Sequence, residues 1–144
     1  MLALGSDHGG YILKEKIKKH LDKKNIPYRD FGAHSEENCD YPQMAAAPCN
    51  AVLSGECTAA LLFCGTGVGI SIAANRMRGI RAAVCSDIYS AKYTRLHNDA
   101  NVLCLGNWVV GAGLAVELIE IFLNTPFEGG RHQRRVDLIT GLEG

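Results

Sequence analysis

Cys64 stands where an apolar run, Ala59 to Phe63, breaks into the loop Gly65-Thr66-Gly67-Val68-Gly69. Alternating glycines let backbone amides crowd around an anion, and a helix that begins just beyond adds positive potential. The residues Ile70 to Arg76 read as that helix. A thiol in such a field ionises more readily than a free one. Residue type and spacing therefore point to a nucleophile or base beside an anion hole. The plainer alternative is a tight strand-to-helix turn with an idle thiol. Thr66, a hydroxyl beside Gly65, tips the balance toward chemistry.

Three further clusters could act with this loop. Asp7-His8-Gly9-Gly10 follows the short apolar run Leu2 to Gly5. Asp7 could also cap the helix that starts at Tyr11, a role compatible with function. His97-Asn98-Asp99 ends a helix, where a histidine also suits the helix dipole. Arg131 and Arg135 are four apart and share a helix face. Paired guanidinium groups suit a phosphate monoester, although a solvated basic face explains them equally well. Aromatic residues do not interleave with these arginines, which disfavours RNA.

Other glycine-loop functions lose support. The spacing is not G-x-G-x-x-G, because the sixth position is Ile70 counted from Gly65 and Ile72 counted from Gly67. No G-x-x-x-x-G-K-[ST] occurs. Cysteines 39, 49, 57, 64, 85 and 104 include no C-x-x-C pair, and His20 and His34 add no metal-ligand spacing. No metal and no cofactor is expected.

These groups need a scaffold that collects strand ends. Short apolar strands are expected at Leu2 to Gly5, Ala59 to Phe63, Arg81 to Cys85 and Val102 to Leu105, with a weaker one at Tyr28 to Phe31. Helices are expected at Tyr11 to Lys24, Gln43 to Leu53, Ile70 to Arg76, Ser86 to Leu96, Val110 to Leu123 and Arg131 to Leu142. In the first helix Leu13, Ile17 and Leu21 recur every four residues, and the lysines are expected on the opposite face. Apolar strands alternating with helices predict an α/β fold: one doubly wound domain over residues 1–144, with a five-stranded parallel sheet and a C-terminal helix. Such folds bind ligands at the carboxyl ends of their strands, where the polar clusters fall.

The chain has 144 residues, 47% of them hydrophobic, with fifteen basic and fifteen acidic side chains. Net neutrality gives no reason to expect nucleic acid or an anionic membrane as partner. No apolar run approaches a membrane span, and the N-terminus does not read as a signal peptide. Apolar surroundings for several cysteines favour reduced thiols in a cytoplasm.

Taken together, the motifs resemble one family. Ser6-Asp7-His8-Gly9-Gly10, Asp40-Tyr41-Pro42, Cys64 through Asn75, His97-Asn98-Asp99-Ala100-Asn101-Val102-Leu103 and Glu128-Gly129-Gly130-Arg131-His132-Gln133 occur in the order of the type B ribose-5-phosphate isomerases. That family also holds galactose-6-phosphate and allose-6-phosphate isomerases. The resemblance covers nearly the whole chain. It implies a Rossmann-like domain and a homodimer or dimer of dimers with shared active sites, and it places the reaction in the pentose phosphate pathway. The substrate would be a small phosphorylated sugar: ribose 5-phosphate, with allose 6-phosphate or galactose 6-phosphate as alternatives.

The resemblance also implies roles. Cys64 would move a proton between C1 and C2. Thr66 and His97 would assist ring opening, and Asp7 would position the ring oxygen and hydroxyls. His8, Arg131 and Arg135 would hold the phosphate. The amides of Gly65, Gly67, Val68 and Gly69, with Asn98, would stabilise the enediolate, and Tyr41 would wall the pocket. One family branch uses a Glu base where Ile70 stands here, which places this chain in the Cys branch. Trp108 aligns with an arginine that helps bind phosphate in some members, and Arg134 is a candidate substitute. A binding module without catalysis, or a thiol hydrolase with His97 as base, would leave part of this set unexplained.

Overall fold

Strands and helices alternate along the chain in the computed structural model, which describes residues 1–143. The order is β1 (Leu2–Ser6), α1 (Tyr11–Lys23), β2 (Tyr28–Asp30), α2 (Tyr41–Leu53), β3 (Ala59–Cys64), α3 (Val68–Ala74), β4 (Ala82–Val84), α4 (Ile88–Leu96), β5 (Val102–Gly106), α5 (Ala112–Asn124) and α6 (Arg131–Thr140). The five strands form one sheet in the order β2-β1-β3-β5-β4, and all paired neighbours are parallel.

Side chains on a strand alternate between faces, so a strand buried on both faces must be apolar at every position. The central strands obey this except at Ser6, the buried last residue of β1. Leu2, Leu4, Leu61, Phe63, Leu103 and Leu105 pack with Leu13 and Ile17 of α1 and with Leu118 and Phe122 of α5. The intervening Ala3, Ala60, Leu62, Cys64, Val102 and Cys104 pack with Ala45 and Cys49 of α2 and Ile70 and Ala74 of α3. The second layer is built largely from small side chains. Cys64 belongs to it, so its thiol faces the α2–α3 side.

Several boundaries differ from expectation. β3 runs on through Cys64, because Cys64 continues the parallel ladder opposite Gly106. α2 begins at Tyr41, with Pro42 in its first turn, where a missing amide costs nothing. α4 begins at Ile88, since Asp87 accepts the Ser90 amide at 2.9 Å and caps the helix. β4 keeps only three residues at the sheet edge and leaves Cys85 beyond its end. α5 starts at Ala112 and α6 stops at Thr140.

Lys14 corrects the expected exposed lysine face of α1. Its side chain is fully buried; Nζ pairs with Asp30 at 2.8 Å and donates to the Ala33 carbonyl. The ammonium thus fastens α1 to the end of β2 and the loop beyond. Helix periodicity marks Lys14 as polar but carries no information about Asp30, sixteen residues away.

Candidate active site

Cys64 ends β3 at the carboxyl edge of the sheet and is 5% exposed. The turn beyond it is set by Gly67, whose φ of 81° suits glycine. A Cβ at Gly67 would also come within 2.9 Å of the Leu105 carbonyl carbon. This turn swings the Gly67 amide back to donate to Cys64 Sγ at 3.0 Å. The Val68 amide donates to Thr66 Oγ1 at 3.2 Å. Two of the loop's amides therefore already have acceptors. The amides of Gly65, Thr66 and Gly69 have none among the described residues. α3 has only seven residues, so the local amides, rather than a long helix dipole, supply the positive potential.

Neighbouring loops close on this one. Asn107 and Trp108, just after β5, donate their amides to the carbonyls of Cys64 and Gly65. The Trp108 ring lies directly on Gly65, and the Tyr41 ring lies on Gly69; a side chain at either glycine would strike its aromatic neighbour. Asp7 is buried and its Oδ1 accepts the Gly10 amide at 3.0 Å. Gly10 itself is the N-cap of α1, so Asp7 ties down the turn before the helix rather than capping it. His8 is half-buried, and its Nδ1 accepts the Cys39 amide at 3.3 Å. Asp7, His8, Cys39, Asp40, Tyr41, Pro42 and Gln43 line a cavity of about 480 Å³ beside this cluster.

The other expected residues gather elsewhere. His97 is the C-cap of α4 and is 37% exposed at its side chain. Its ring stacks on His132 of α6, with centroids 3.9 Å apart and planes 11° apart. Its Nε2 lies 3.4 Å from Glu128 Oε2. Arg131 and Arg135 are exposed on α6, and neither has an acidic partner among the described residues. Asn98 lines a different and larger cavity of about 640 Å³, together with Arg76, Arg78, Arg81 and Leu142. No hydrogen bond, ion pair or ring contact among the described residues joins this group to the Cys64 loop. Within one chain the structure brings together Cys64, Thr66, Asp7, His8, Tyr41 and the glycines, and holds His97, Asn98, Arg131 and Arg135 apart.

Sequence reading passed over Glu128 and His132 as functional groups. Both lie in the Glu128-Gly129-Gly130-Arg131-His132-Gln133 stretch, but nothing in their spacing announces His97 as a neighbour. Donor atoms of His97, Glu128 and His132 lie within 4.8 Å of one another. The rings are nearly parallel and 3.9 Å apart, so their in-plane lone pairs lie in separate, near-parallel planes and as placed do not both point at one ion.

Burial acts on the thiols of the core. Burial pushes Cys49 and Cys85 up to about 11 and Cys104 well above the ordinary thiol range. All six cysteines are unpaired.

The family described as Ribose/Galactose Isomerase matches residues 2–139. The chain belongs to this isomerase family. Ribose-5-phosphate isomerase B of Escherichia coli (strain K12) is 50% identical over 142 residues, which span 99% of this chain and 95% of that protein. Among solved structures, ribose-5-phosphate isomerase B of Clostridium thermocellum superposes with a TM-score of 0.97 at 49% identity, covering 99% of this chain and 96% of that one. The Mycoplasma genitalium ribose-5-phosphate isomerase B, solved with bound ribulose-5-phosphate, superposes with a TM-score of 0.93 at 38% identity, covering 99% and 95%. The five-stranded parallel sheet and the C-terminal helix are those of the isomerase family.

Proposed function

We propose that this chain is an aldose–ketose isomerase that interconverts ribose 5-phosphate and ribulose 5-phosphate through an enediolate, with Cys64 as the base. The observation that carries the reading is the Cys64 sulfur, held by the Gly67 amide beside amides that still lack acceptors. The thiolate removes the proton from C2 of the open-chain aldose, and the electron pair moves onto the C1 oxygen. The same proton returns to C1 while the O2 hydroxyl proton passes to O1, so C2 becomes the ketone and C1 a hydroxymethyl group. Donors fixed where charge develops supply the largest catalytic effect in such a step. Gly65 and Gly69 take the oxyanion first; Gly67 and Val68 keep the loop in shape. Thr66 and His97 assist ring opening, Asp7 positions the ring oxygen and hydroxyls, and Tyr41 walls the sugar. His8, Arg131 and Arg135 bind the phosphate, which orients the reacting carbons from a distance.

These roles need His97, Asn98, Arg131 and Arg135 to meet a Cys64 loop, which a homodimer with sites shared between subunits would achieve. An apolar belt on the carboxyl side of the sheet supports that assembly. Val68, Ile72, Val84, Ile88, Tyr89, Trp108 and Val109 are each between 42% and 73% exposed. α6 buries only His132 and Val136 on its own chain and leaves Leu138 and Ile139 exposed. Six unpaired thiols favour a reducing compartment, the cytoplasm.

The test is conversion of ribose 5-phosphate by the Cys64→Ala variant, with its fold checked by circular dichroism. Loss of product in a folded variant is expected; full turnover would remove Cys64 as the base. Assaying allose 6-phosphate, galactose 6-phosphate, ribose and allose alongside decides the sugar.

A further inference from the structure

We infer that His132 is a positioning residue for His97: the His132 ring and the Glu128 carboxylate hold the His97 imidazole in the orientation that ring opening requires. The inference rests on the proposed role of His97. His97 caps a helix C-terminus and is more than a third exposed, a setting in which an imidazole would otherwise turn freely about its side-chain bonds. Contacts restrict it here on three sides. The Tyr93 ring, one helical turn earlier, meets it edge-on at 5.0 Å and 75°. Tyr93 is in turn stacked on Tyr89 at 4.3 Å, so the side chains of α4 form a ladder that ends at His97. His132 covers one face of the ring at 3.9 Å, and Glu128 stands 3.4 Å from Nε2.

His132 has no other evident use. It is 5% exposed, and its buried Nε2 has no hydrogen-bond partner among the described residues. Leaving a buried polar atom unpaired costs stability, and a Leu could fill this site without that cost. What the imidazole offers His97 is a flat π face. A neutral ring can lie against His97 in both of its charge states, whereas two imidazolium rings would repel. Burial, then His97, Arg131 and Arg135, push the His132 ring toward the neutral form against the opposing Glu128. A neutral aromatic face against a ring that gains a proton is a cation–π contact.

The experiment compares His132→Leu, which fills the space without a flat face, with His132→Phe, which keeps the face. Conversion of ribose 5-phosphate by His132→Leu should fall about tenfold in kcat with KM nearly unchanged, because the loss lies in the reacting geometry. His132→Phe should recover kcat to within about threefold of wild type. Thermal melting of both variants checks that α6 remains docked. Equal kcat for Leu and Phe in folded protein would overturn the inference. His97→Asn separates the two levels. If it leaves kcat intact, the ring-opening role itself fails; if it lowers kcat while His132→Leu does not, only the positioning role fails.

Discussion

The Gly67 amide donates to the Cys64 sulfur at 3.0 Å, across a turn that only the left-handed backbone of Gly67 makes. The bond fixes the thiol at the rim of the sheet and leaves Gly65, Thr66 and Gly69 free to donate elsewhere. Cys64→Ser keeps the shape but replaces a thiol by a far weaker acid. Its kcat should fall by roughly 10²–10⁴, as when a general base is removed. Gly67→Ala would force a side chain toward the Leu105 carbonyl at a positive φ. It should cost about 1–3 kcal/mol in denaturant unfolding and lower kcat together with stability. Wild-type kcat in Gly67→Ala would show that the turn does not place the base.

Shared sites make a sharper test of assembly than size alone. Cys64→Ala and Arg131→Ala should each be inactive or nearly so under subsaturating substrate. In a co-expressed mixture, heterodimers carry one doubly damaged site and one intact site. Mixing should therefore restore about a quarter of wild-type activity if each site draws on both subunits. No restoration in confirmed heterodimers would place each site within one chain.

Arg131 and Arg135 stand exposed and have no acidic partner among the described residues, so removing either should leave folding almost untouched. Replacement of either by Ala should raise KM for ribose 5-phosphate by roughly tenfold or more, the loss of one charge-assisted contact. The effect should shrink for unphosphorylated ribose. Unchanged KM in both single variants would remove them as phosphate ligands.

Lys14 and Asp30 form a buried ion pair whose loss would be felt through stability rather than catalysis. Asp30→Asn leaves the fully buried Lys14 ammonium without a charged partner and should cost about 3–5 kcal/mol in denaturant unfolding. Burial alone would raise the Asp30 carboxyl, but bonds from Lys14, the Gly32 amide and Lys18 outweigh it and hold it below the ordinary range. A lowered folded value means the stabilisation is complete above the unfolded value, about pH 4, and is lost as pH falls through the folded value. The gap between wild type and Asp30→Asn should therefore narrow on acidification below about pH 4. A gap independent of pH would contradict the pairing.

Core thiols should react slowly with alkylating reagents. With Cys49 and Cys85 pushed up to about 11, few of their thiols are ionised near neutral pH, and all three of Cys49, Cys85 and Cys104 are buried. Brief alkylation of native protein, read by peptide mass spectrometry, should spare these three. Labelling of Cys64 should decline when ribulose 5-phosphate is present. Rapid labelling of Cys104 would contradict the sealed layer behind the sheet.

Much of the scaffold was legible without coordinates because its signals are local. The apolar run ending at Cys64 and the glycines after it already describe a strand, a turn and a helix start. Five apolar or half-apolar segments alternating with helical ones already describe a parallel sheet. Boundaries were less legible, since Asp87 and Pro42 move helix starts through capping and first-turn geometry that periodicity does not weigh. Residue type could not distinguish Lys14 from its exposed neighbours, because its partner Asp30 reaches it only after β2 pairs with β1.

The order of motifs along the sequence by itself determined the family and the identities of the groups available for chemistry. Tertiary structure alone decided their company. It placed Trp108 on Gly65 and Tyr41 on Gly69, and it stacked His97 on His132 while holding both apart from Cys64. Sequence separation sets no distance between residues on different elements; packing of the helices against the sheet does, and that packing is cooperative over the whole chain.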